Sequence, residues 1–147
     1  MGRRRATARA EIALHAETPE TAIEWAARAI EVAQRTKRRK YEARSRTILG
    51  EALGQLGRRD EALAALRAAV TLADELIGPP GRWRAREALG RVSHLLGDDD
   101  AAAAAYAEAG DLIESFAGTL APSRSARFLA APAISQILSL AGRTTAA

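Results

Sequence analysis

Few residues in this chain have types that could do chemistry, and their spacing limits what they could do. His15 and His94 are the only histidines, they stand far apart, and cysteine is absent. A thiol nucleophile, a disulfide framework and a Cys-ligated zinc are excluded, and a His-rich metal site is not expected. Asp98-Asp99-Asp100 offers three consecutive carboxylates, but it lacks the spacing of an EF-hand loop and stands where a helix N-cap belongs. His94 has only Glu87, two turns away, and that triplet as acidic neighbours. A general base needs an orienting partner and a nucleophile within reach, and this spacing offers no such set. The chain contains no GxxxxGK[ST], HExxH, GxSxG or GxGxxG segment, so no catalytic residue, metal or cofactor is expected.

What remains is binding chemistry, carried by cations. The chain has 22 Lys and Arg against 18 Asp and Glu, a formal net charge of +4. The excess is local: residues 1–46 hold 12 basic against 6 acidic residues, and residues 47–147 hold 10 against 12. It gathers in Arg3-Arg4-Arg5 and in Arg35, Lys37, Arg38, Arg39 and Lys40. The second run could bind phosphates in a salt-sensitive, sequence-independent way. Only Tyr41 interleaves with it, so the charge of a nucleic-acid footprint is present without a reader motif. The same cations would also suit a helix C-terminus.

The elements that must position these residues are helices. The 147 residues include 36 alanines but only 11 Val and Ile, and aromatics make up 4%. That inventory disfavours a β-sandwich or parallel sheet and favours closely packed helices. No apolar stretch approaches the roughly 20 residues that span a bilayer, and no secretory core follows Met-Gly-Arg-Arg-Arg, so a soluble cytoplasmic chain without membrane contact is expected.

The helices recur. A shift of 40 residues places Leu49-Gly50 on Leu89-Gly90, Leu56-Gly57 on Leu96-Gly97, Ala62 on Ala102, Leu66 on Tyr106 and Ala69 on Ala109 without a gap. A backward shift brings Ala22 and Ala29 onto Ala62 and Ala69, with Arg9-Ala10 in place of Leu-Gly and Glu17 in place of the turn glycine. Each unit reads as two antiparallel helices. Gly57 and Gly97 end the first helix in the left-handed conformation; Asp60, the Asp98 to Asp100 triplet and Thr18 before Pro19 start the second. Gly50, Gly90 and the periodic alanines remove bulk where helices cross, and Trp25, Leu66, Tyr106, Leu72 and Leu112 fill the spaces between. Gly78-Pro79-Pro80-Gly81 separates unit two from a helix opening near Trp83. Pro122 and Pro132 start two short helices expected to cover the last repeat, although a partner-binding helix is the alternative.

These residues resemble the tetratricopeptide repeat family. Leu-Gly on the first helix, glycine at the turn and small-large-small residues on the second match well in two units and weakly in the first, over residues 4 to 117. The period of 40 exceeds the usual 34, and Arg46 and Arg86 replace a bulky residue early in the first helix. The wording from Leu49 to Leu76, from Gly78 to Arg91 and from Arg124 to Leu138 also resembles the C-terminal helical repeats of bacterial signalling ATPases, among them LuxR-type regulators and class III nucleotidyl cyclases. The implied fold is all-α, a right-handed α-solenoid of three hairpins (3–40, 41–80 and 81–117) within residues 1–117, followed by capping helices and a tail in 118–147.

The resemblance implies a noncatalytic protein- or peptide-binding array acting as a scaffold or regulatory segment. Carried onto this sequence, the groove-facing positions include Arg4, Arg44, Glu51, Gln55, Arg84, Glu87, Arg91 and His94. Arg4, Arg44 and Arg84 share one repeat position and would form a basic ladder suited to an acidic peptide. The alternative is that these charges only form i,i+3 and i,i+4 pairs supporting a solvated helix. Two other functions stay open: a nucleic-acid-associated regulator using Arg35, Lys37, Arg38, Arg39 and Lys40, and a C-terminal fragment of a signalling ATPase, transcriptional regulator or cyclase.

Overall fold

The computed structural model describes residues 3–16 and 18–143, with side chains from Arg5 onward. Eight helices and no strand occur among the described residues: α1 (Arg3–His15), α2 (Pro19–Arg35), α3 (Arg39–Gln55), α4 (Arg59–Asp74), α5 (Pro80–Leu95), α6 (Asp99–Ala117), α7 (Pro122–Ala130) and α8 (Pro132–Leu140). The first six form three hairpins, α1–α2, α3–α4 and α5–α6, stacked in chain order. The first helices of successive hairpins touch directly, α1 on α3 and α3 on α5. The chain is an all-α helical-repeat solenoid.

The small residues sit where the helices come together. Ala22, Ala62 and Ala102, and likewise Ala29, Ala69 and Ala109, are buried. A Cβ on Gly90 would lie 2.8 Å from Cε1 of Tyr106, and one on Gly50 would press into Cγ of Leu66. Glycine at these two places lets the side chain of the second helix lie against the backbone of the first. Gly54 has a third such contact, since its Cβ would fall 2.7 Å from Cγ1 of Val92. It therefore lets α3 and α5 pack closely against each other.

The turns are built alike, with one substitution. Gly57 and Gly97 have φ of +72° and +83°. In each turn the glycine N–H and the following N–H donate back to the helix: Gly57 to Gly54 O and Arg58 to Leu53 O, then Gly97 to His94 O and Asp98 to Ser93 O. This closes the orphan carbonyls of the helix end. The α2–α3 turn has the same two bonds, Lys37 to Gln34 O and Arg38 to Ala33 O, but its left-handed residue is Lys37 at φ +54°. The turn of the first unit contains Glu17, which lies outside the described residues.

One capping expectation is corrected. Asp60 is not a cap; Arg58 holds the N-cap position of α4, and Asp60 stands in the first turn, where its charge still suits the helix dipole. Thr18 holds the N-cap position of α2 ahead of Pro19, as expected, but its hydroxyl donates to Ala13 O at 2.8 Å, bracing the preceding helix, and makes no side-chain cap bond to α2. Helix α5 opens at Pro80, ahead of Trp83, because proline fixes φ near the helical value in the first turn. Asp98 does cap α6, accepting from the Ala101 N–H at 3.0 Å.

Helices α7 and α8 lie on α6. Ile134, Ile137 and Leu138 join Trp83, Ala109 and Ile113 in one buried cluster. Trp83, Phe116 and Phe128 meet at centroid separations of 5.5, 5.7 and 5.2 Å, the last pair edge to face. At the other end of the stack, Trp25 is half-buried beneath Arg9 and Arg28, whose guanidinium carbons lie 4.6 and 5.2 Å from the ring centre.

Candidate binding groove

The first helices of the three hairpins form one wall after another of a concave groove of about 860 Å³. Glu11, Leu14 and His15 come from α1; Lys40, Ala43, Arg44, Thr47, Ile48 and Glu51 from α3; Arg84, Ala85, Glu87 and Ala88 from α5. The remaining wall comes from the end of α4, the α4–α5 loop and the start of α5, including Glu75, Leu76, Ile77 and Pro80. Helical spacing places these residues on one face: Lys40, Arg44, Thr47 and Glu51 recur at three- and four-residue intervals along α3. The floor is small and apolar, and charge is confined to the walls.

Of the candidate residues named from the sequence, the groove brings together Arg44, Glu51, Arg84 and Glu87. The Arg4 side chain lies outside the described residues, so the ladder is described at two of its three rungs. Those rungs differ. Arg44 is ion-paired with Glu11, whereas Arg84 has no ion pair to another described residue. Gln55 and His94 do not line the groove. His94 Nδ1 meets Asp99 Oδ1 at 2.7 Å on the exposed α5–α6 turn, so the second Asp of the triplet partners the imidazole. Arg91 also lies outside the lining; its guanidinium donates to Glu51 at 2.8 Å and Glu87 at 3.1 Å. These two carboxylates are thereby braced from the adjacent helix position.

The basic run divides. Arg35, Lys37 and Arg38 are exposed around the α2–α3 turn. Arg39 donates to Glu75 at 2.5 Å, clamping the start of α3 to the α4–α5 loop, and Lys40 turns into the groove. The five cations assigned from sequence to one phosphate surface are therefore distributed over different surroundings. The α4–α5 loop and Glu75 escaped the sequence reading as groove residues. Their signal was the period, six residues beyond the usual 34, of which the Gly78-Pro79-Pro80-Gly81 segment is part.

The electrostatics around the groove are set by pairs. Burial pushes the Tyr106 phenol up, with Glu87 adding to the rise and Arg91 opposing it. Among the described residues no group of three or more His, Asp or Glu could hold a metal ion, and no helix is long and apolar enough to cross a membrane.

No curated protein matches the chain. Residues 4–75 match the model of the tetratricopeptide repeat family, which covers α1 to α4 and leaves α5 and α6 to continue the same hairpin geometry. Repeats of this family serve protein–protein interaction and scaffolding and are generally noncatalytic. With Gly50 beneath Leu66, the Gly57 turn and the family match, residues 4–75 are a tetratricopeptide repeat segment, and Gly90 beneath Tyr106 with the Gly97 turn repeats its geometry in the third hairpin.

Proposed function

We propose that the chain is a noncatalytic protein- or peptide-binding module, a scaffold or regulatory segment that takes an acidic peptide stretch in the α1–α3–α5 groove. The observation that carries this reading is the groove itself, about 860 Å³ with an apolar floor and, on its wall, Arg84, which has no ion pair to another described residue. Such a floor gains free energy as it is covered, at roughly 25 cal/mol per Å² of apolar surface. Wall cations select carboxylates, with arginine able to engage both oxygens.

The test is competitive. Arg44→Ala combined with Arg84→Ala should weaken an acidic peptide while leaving helicity intact, and Thr47→Trp should abolish binding by filling the groove. Unchanged affinity in both variants would remove this reading. A salt series separates it from the nucleic-acid alternative, since binding through phosphates falls steeply as salt rises and burial of apolar surface does not.

A further inference from the structure

The charges lining the groove fall into two groups, and the division gives the groove a direction. Glu11 is paired with Arg44, Glu75 with Arg39, and Glu51 and Glu87 share Arg91. Lys40 and Arg84 have no ion pair to another described residue, and both lie toward the N-terminal ends of their helices. His15 Nδ1 is taken up by Glu11 O at 2.7 Å. One end of the groove thus presents two uncommitted cations, and the other presents two carboxylates sharing one guanidinium. Lys40 and Glu51 are eleven positions apart on α3, about 16 Å along the axis, the span of about five extended residues.

The loop adds an apolar element at the groove's edge. Ile77 is fully exposed, and with Leu76 it lines the groove. Pro79 and Pro80 restrict the chain that carries it, which lowers the ordering cost of a contact there.

We propose that the groove's occupant is a short segment with acidic side chains at one end and an apolar side chain against Ile77. The carboxylates meet Lys40 and Arg84, while the Glu51–Glu87 end takes neutral or basic residues. This proposal rests on the groove being a binding site and adds the charge order of what binds. A basic segment would have to displace Arg44, Arg39 or Arg91 from its carboxylate, whereas an acidic one meets two cations with no ion pair to another described residue.

Three labelled peptide pools test it with the full chain. Each carries a central Leu between Ser and Gly residues, and they differ only in having Glu, Gln or Lys at one end. The Glu pool should bind about tenfold more tightly than the Gln pool, the size expected of two exposed charge pairs. Lys40→Glu with Arg84→Glu should erase that preference and favour the Lys pool, and the milder Lys40→Gln with Arg84→Gln should erase it without reversal. Ile77→Ser should weaken the Glu and Gln pools alike, and Arg124→Glu on α7 should change neither.

Equal binding of the Glu and Gln pools, abolished by Thr47→Trp, would overturn the acidic occupant and leave the groove as the binding site. A Glu preference that survives the Lys40 and Arg84 changes but disappears in Arg35→Glu with Arg38→Glu would also overturn it, assigning capture to the exposed turn. Indifference of all three pools to Thr47→Trp would overturn both the charge order and the groove reading beneath it.

Discussion

Arg86 holds both carboxylate oxygens of Asp74, Nη1 to Oδ1 at 2.7 Å and Nη2 to Oδ2 at 2.8 Å, while its Nε donates to Glu108 at 2.8 Å. A single side chain on α5 thus ties the last turn of α4 to the middle of α6, across the place where the long α4–α5 loop interrupts the stack. Arg46 occupies the same repeat position one unit earlier but reaches only Glu42 on its own helix. The difference follows from what surrounds each arginine. The planar guanidinium offers donors to two acids at once, and of these two arginines it is Arg86 that meets acids from other helices.

The Asp74 carboxyl is held below its ordinary value chiefly by its hydrogen bond with Arg86, against an opposing effect of burial. A depressed folded-state pKa stabilises the fold above the unfolded value near 4 and loses that contribution as pH falls through the folded value. Asp74→Asn should lower the urea midpoint at neutral pH by an amount worth under about 1 kcal/mol, because the Asp74 side chain is 43% exposed. The gap between wild type and variant should narrow below about pH 4. A gap that stays constant across that range would remove the pair from the pH response.

Gly90→Ala should destabilise the chain by about 1–2 kcal/mol, since overpacking outweighs the better helix propensity of alanine. The reason is specific to Tyr106, whose ring atoms occupy the space the methyl group needs. Adding Tyr106→Ala, which removes the ring, should therefore make the double variant less destabilised than the sum of the two single changes, giving a coupling energy in a double-mutant cycle. Gly78→Ala, whose Cβ would meet nothing, is the comparison and should stay within about 0.5 kcal/mol. Strict additivity of Gly90→Ala and Tyr106→Ala would contradict this packing account.

The periodic parts of the fold were legible in the sequence because they depend on local backbone geometry. Gly57 and Gly97 announce left-handed turns, and Gly50 with Leu66 repeats as Gly90 with Tyr106, so helices, turns and crossings could be read from a 40-residue register. The groove was legible only where it obeys that register, as at Arg44 and Arg84. Which cations stay free depends on pairs set by the curvature of the stack: Arg44 with Glu11, Arg39 with Glu75, Arg91 with Glu51. These partners stand 33 to 40 positions apart, and no single helix wheel shows them. Asp60 was misread for a local reason. The turn after Gly57 makes Arg58 the last nonhelical residue, so the acid that looks like a cap already lies inside α4.

Lys37→Gly should stabilise the chain. Lys37 adopts φ +54° in a turn with the same backbone hydrogen bonds as the Gly57 and Gly97 turns. A side chain in that region costs about 1–2 kcal/mol, and glycine returns part of the difference through the greater freedom of its unfolded chain. A net gain of about 0.5–1 kcal/mol is expected, read as a rise in thermal midpoint. Gly57→Ala and Gly97→Ala should move the midpoint down. A lower midpoint in Lys37→Gly would show that the lysine side chain stabilises the turn by more than its conformation costs.

The two tryptophans allow the C-terminal helices to be followed separately from the rest. Trp83 is 3% exposed and meets Phe116 and Phe128, whereas Trp25 is half-buried beneath two arginines. Because α7 contributes Phe128 to this cluster, Phe128→Ala should cost about 2–3 kcal/mol, less than a fully buried phenylalanine would. In a Trp25→Phe background, where Trp83 is the sole emitter, Phe128→Ala should shift the fluorescence maximum to the red as water reaches the ring. In a Trp83→Phe background the remaining Trp25 emission should be unchanged by the same substitution, because Trp25 sits at the opposite end of the stack. Unchanged Trp83 emission in Phe128→Ala would mean that α7 does not shield the last hairpin, and the buried cluster would have to be held by α8 through Ile134, Ile137 and Leu138 alone.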